Sequence, residues 1–73
     1  MQDASLVLMT RLFKTLADPT RLRLLQAMTL DCQSVSDLVQ ASGLPQPMVS
    51  HHLRILREAG LARAARRGTY MFY

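Results

Sequence analysis

Apolar residues recur at helical spacing in four stretches of this chain. Over 4–16, Leu6, Met9, Phe13 and Leu16 form one stripe with Arg11 and Lys14 outside it, which predicts a first helix packing that stripe inward. A second helix is expected over 19–30. Asp18 suits its N-cap, and Pro19 suits the first helical position, where a missing N–H costs nothing. Leu22, Leu25 and Met28 are its expected buried face, widened by Leu24 and Ala27. Ser34 with Asp37 writes an acidic capping box for a third helix over 34–42, with Leu38 and Val39 inward. Gly43 stands where a left-handed residue ends a helix, and Gly43-Leu44-Pro45 turns the chain into a fourth helix over 46–59. Pro45 and Pro47 both belong to that helix's start, because a proline deeper inside costs about 3 kcal/mol.

The fourth helix separates its residues most sharply. At about 100° per residue, Gln46, Pro47, Ser50, His51, Arg54 and Arg57 fall within roughly 140° of one another, while Val49, Leu53 and Leu56 cluster opposite. The polar arc holds short polar groups first and arginines afterwards. An ordinary solvated face would mix in glutamates and lysines, and here only Glu58 is acidic. Beyond Gly60, residues 61–65 and 69–73 read as two strands of a β-hairpin around the turn Arg66-Arg67-Gly68. The second strand is the better strand former, since Tyr70, Met71, Phe72 and Tyr73 outrank the alanines of the first. The expected fold is mainly α with a small β-hairpin, a single winged helix-turn-helix domain over 1–73.

Charge sharpens this picture through its placement. The net charge is +4 over 73 residues, and residues 1–44 balance. The excess lies wholly beyond them, where Arg54, Arg57, Arg63, Arg66 and Arg67 face only Glu58. A one-ended positive surface suits a polyanion, because phosphate contacts supply most sequence-independent affinity for nucleic acid. No stretch approaches the apolar length of a membrane span, and the single cysteine, Cys32, permits no disulfide framework. A cytoplasmic location is therefore expected. The chain lacks a glycine-rich phosphate loop, a nucleophile motif and a carboxylate pair at useful spacing, so catalysis finds no support, and the inferred fold leaves little room for a pocket.

Four runs, in order, resemble the ArsR/SmtB family of bacterial winged-helix repressors. They are Leu16-Ala-Asp-Pro-Thr-Arg-Leu-Arg-Leu-Leu25, Gln46-Pro-Met-Val-Ser-His-His-Leu53, Arg57-Glu-Ala-Gly-Leu61, and Arg66-Arg-Gly68 with the aromatics that follow. The resemblance covers nearly the whole chain. It implies a homodimer on a palindromic operator, released by an inducer that is often a metal ion. Family members that sense thiophilic metals carry Cys-x-Cys just before the Asp-Leu of the third helix, where this chain has Ser34 and Ser36. One thiol at Cys32 does not replace that bidentate site, so neither a metal nor another cofactor is expected, and the inducer is unidentified. The family usually adds a further helix beyond the wing. The sequence accordingly reads either as a fragment or as a domain whose dimer relies on the first helix.

The resemblance puts Gln46, Pro47, Ser50 and His51 at positions that touch bases or nearby phosphates. Glutamine can pair with adenine bidentately, whereas serine and histidine have less fixed preferences. Arg54 and Arg57 suit phosphate, and Arg66 with Arg67 suits the adjoining minor groove or backbone. Arg63 is a weaker candidate for the same role, because one face of its strand should pack inward. His51 and His52 diverge by about 100° and do not chelate one ion. Cys32 reads as a buried or inert thiol, with no basic neighbour in sequence. A second reading of the same surface is a winged-helix module that binds an acidic protein without sequence-specific DNA binding.

Overall fold

A computed structural model describes residues 3–68 and 70–73. Four helices precede a short hairpin: α1 (Ala4–Leu16), α2 (Pro19–Leu30), α3 (Val35–Ser42), α4 (Gln46–Glu58), β1 (Ala65–Arg67) and β2 (Tyr70–Phe72). Each of the first three helices starts at a side chain that satisfies backbone donors otherwise left without partners. Asp3 accepts from the Leu6 N–H at 2.6 Å, and Asp18 accepts from the N–H groups of Thr20 and Arg21 at 2.8 and 3.2 Å. Ser34 and Asp37 close the capping box reciprocally, each side chain accepting from the other's N–H at 3.1 Å. Gly43, at φ 70°, donates its N–H to Val39 and ends α3 in the left-handed conformation the sequence requires. At α4 no side chain caps the start, and Pro45 and Pro47 hold the chain in its first turn.

Leu24, Leu38, Val49, Leu53 and Leu56 form the buried core. α4 contributes three of these five, so this helix is pinned by its own apolar arc. Leu25, Met28, Val39 and Leu44 pack around them. The hairpin pairs Ala65 with Phe72, Arg66 with Met71 and Arg67 with Tyr70. It is fastened to the helices at a point the sequence did not suggest. Gln33 and Tyr73 exchange both backbone hydrogen bonds, at 3.0 and 2.8 Å, and Ser34 bridges Phe72. The loop before α3 thus bridges the end of the hairpin and ties the wing to the helix-turn-helix.

Three expectations are corrected here. Leu6, Met9 and Phe13 of α1 and Leu22 of α2 are exposed rather than buried, with Phe13 at 68 %. The reason is that α1 packs chiefly against α2, and on α2 it is Leu24 that enters the core. The first strand begins at Ala65, not at residue 61, consistent with the poor strand propensity of the preceding alanines. Arg66 and Arg67 accordingly lie within β1, not in the turn.

Candidate nucleic-acid interface

The polar arc of α4 stands as one surface because the apolar arc is fully buried: Val49, Leu53 and Leu56 are at most 1 % exposed. Gln46, Pro47, Ser50, His51, Arg54 and Arg57 are all exposed. The turn from α3 through Gly43 to Pro45 sets the start of this helix at the surface, with its short polar groups leading and its arginines behind. His51 and His52 stand edge to face, 5.5 Å between ring centroids. His52 turns toward the core side, and its Nδ1 is buried with no hydrogen-bond partner among the described residues. Behind it, the Arg21 backbone N–H holds the Asp18 carboxyl below its ordinary pKa, assisted by the Thr20 N–H and by the charge of Arg21 and His52 against an opposing contribution from burial. This N-cap ties the start of α2 to its first turn, and Arg21 adds a 3.5 Å ion pair to the same aspartate.

The wing separates two arginines that look equivalent in the sequence. Side chains alternate along a strand, so Arg66 and Arg67 point to opposite faces of the hairpin. Arg67 shares a face with Ala65 and Phe72, and its guanidinium carbon lies 5.7 Å from the Phe72 ring centroid, a cation–π contact between diagonal neighbours. That face looks onto a groove of about 460 Å³ between the hairpin and the end of α2, with Leu25, Met28 and Cys32 on its far wall. The sequence left little room for such a groove and expected a buried or inert thiol; the groove is present and the thiol is not buried. Cys32 is exposed, because the loop after α2 carries it to the surface at the groove edge. Arg66, exposed and on the opposite face, is the arginine directed away from that groove.

Arg63, ranked behind Arg66 and Arg67 because of its expected strand, joins the basic surface. Arg63 is exposed, lies before β1 rather than inside a strand, and lines a cleft of about 480 Å³ with Arg54 and Arg57. It also borders the apolar groove on the other side of the connecting segment. The signal available in the sequence was its charge, and the assumed strand lowered its rank. Among the described residues no helix is long and apolar enough to cross a membrane.

Four helices, a three-residue turn between α3 and α4, and a fastened hairpin define a winged helix-turn-helix domain. The model of the bacterial regulatory proteins of the arsR family matches residues 18–64, and the chain belongs to that family. The HTH-type transcriptional regulator KmtR of Mycobacterium tuberculosis is 40% identical over 73 residues, which is all of this chain and 56% of that protein. A transcriptional repressor SmtB homolog of Synechocystis is 42% identical over 65 residues, covering 89% of this chain and 49% of the relative. The chain thus spans about half the length of these curated relatives. Among solved structures, a homodimeric winged helix-turn-helix DNA-binding domain from Mycobacterium bovis superposes with a TM-score of 0.92 at 30% identity, covering all of this chain and 70% of that one.

Proposed function

We propose that this chain binds double-stranded DNA in a sequence-specific manner, as a homodimer on an imperfect palindrome, and acts in the cytoplasm as a transcriptional repressor released by an inducer rather than as a catalyst. The observation that carries the reading is the exposed arc of α4 above a fully buried apolar arc. A helix held this way presents its leading residues to the major groove without disturbing the core. Gln46, Pro47, Ser50 and His51 read base edges and the nearest phosphates. Arg54 and Arg57 hold the backbone, and the wing contributes through Arg66 and, less directly, Arg67.

Dimerisation follows from α1. Leu6, Val7, Leu8, Met9 and Phe13 of α1, with Leu22 of α2, are between 48 % and 68 % exposed, a concentration of apolar surface that a lone small domain leaves unused. A second copy covers it. The homodimeric neighbour and the repressor relatives support this assignment. Two recognition helices related by a two-fold axis then reach successive major grooves about 34 Å apart.

The division of labour is tested by fluorescence anisotropy on a duplex recovered by selection and on a shuffled duplex of equal length. Ser50→Ala and His51→Ala are expected to weaken the selected duplex by about 1–3 kcal/mol and the shuffled one far less. Equal losses on both duplexes would overturn the assignment of base reading to these residues.

A further inference from the structure

The cleft between the end of α4 and the segment leading to β1 gathers three cations from two parts of the chain. Arg54 and Arg57 come from α4 and Arg63 from the connecting segment, with Ala62 and Ala64 as small walls that leave the guanidiniums open. Glu58 is the one acid lining it. Among the described residues the only ion pair is Arg21 with Asp18, so none of these three arginines is neutralised by a carboxylate. Three like charges brought to one cleft repel one another, and an anion relieves that repulsion. The cleft is also continuous with the exposed polar arc, since Arg54 and Arg57 belong to both.

We propose that this cleft seats the phosphate backbone of duplex DNA, with Arg63 as a phosphate-neutralising contact and Glu58 as the group that limits its affinity. The proposal rests on the duplex-binding reading and adds to it a contact outside the recognition helix and the wing. Planar guanidinium groups suit phosphate oxygens better than a point charge does. The contact carries no sequence information, so it strengthens every duplex alike and leaves discrimination to the leading half of α4. Glu58, on the same cleft, opposes phosphate by like charge and keeps non-specific affinity down.

The full chain is titrated by anisotropy against a mixed-sequence duplex of about 30 base pairs at roughly 50 and 200 mM salt, beside the variants R63Q, E58Q and, as a control away from the cleft, R11Q. R63Q is expected to lower affinity about ten-fold at the lower salt and to reduce the salt slope by about 0.9, so its deficit shrinks roughly three-fold at the higher salt. E58Q is expected to raise affinity, and R11Q to leave both quantities unchanged. Circular dichroism verifies that each variant keeps its helices. Wild-type binding with an R63Q slope equal to wild type overturns the seat alone. A wild-type chain that does not bind the duplex overturns the duplex reading, and the seat with it.

Discussion

Arg66 and Arg67 occupy consecutive positions and do different things, because a strand sends successive side chains to opposite faces. Arg67 is held over Phe72 beside the apolar groove, while Arg66 faces away from it. Arg66→Ala is therefore expected to weaken binding to selected and shuffled duplexes alike and to lower the salt slope by about 1, with Arg67→Ala giving a smaller loss. Salt titrations of the two variants decide this, and equal slopes would contradict the assignment by face. The sequence revealed the charge of both residues but not their difference, which depends on strand register. Arg63 differs from both, because the strand expected to contain it begins only at Ala65. A residue's type is local, whereas the face of a strand residue is set by pairing with β2, and the chain just after β2 is held by backbone bonds between Tyr73 and Gln33.

At the scale of elements, caps and turns were legible because they are written in short-range chemistry. Asp18-Pro19, Ser34 with Asp37, and Gly43 each satisfy a backbone need that no neighbouring element alters. Ser34→Ala is expected to destabilise the fold by about 1 kcal/mol in denaturant titration, since it removes an N-cap at the start of α3. Asp18 adds a pH dependence. Its native pKa lies below the ordinary 3.8, so its contribution is full above that value and is lost as pH falls through the depressed native one. Thermal melts from about pH 5 to pH 2 should show a steeper acid loss for wild type than for Asp18→Asn, which keeps a capping oxygen without the charge. Parallel curves would contradict this. What the sequence could not supply was the destination of α1's apolar stripe. Periodicity identifies a face that avoids water, and either the domain's own core or a second copy can cover it.

The whole molecule joins a small core, an exposed apolar helix face and a one-sided basic surface. Its core is mostly the reverse side of the recognition helix, so Leu53→Ala is expected to cost about 2–5 kcal/mol and to remove DNA binding by unfolding rather than by losing a contact. Phe13→Glu acts differently. It places a charge on the 68 % exposed ring position, and sedimentation should show monomers with retained helicity. The central claim is that paired α4 surfaces read duplex sequence two-fold symmetrically. The most direct measurement is selection of the full chain on a random duplex library. An inverted repeat whose half-sites lie about 10 base pairs apart is the predicted result, and recovery of duplexes with no shared sequence would contradict it.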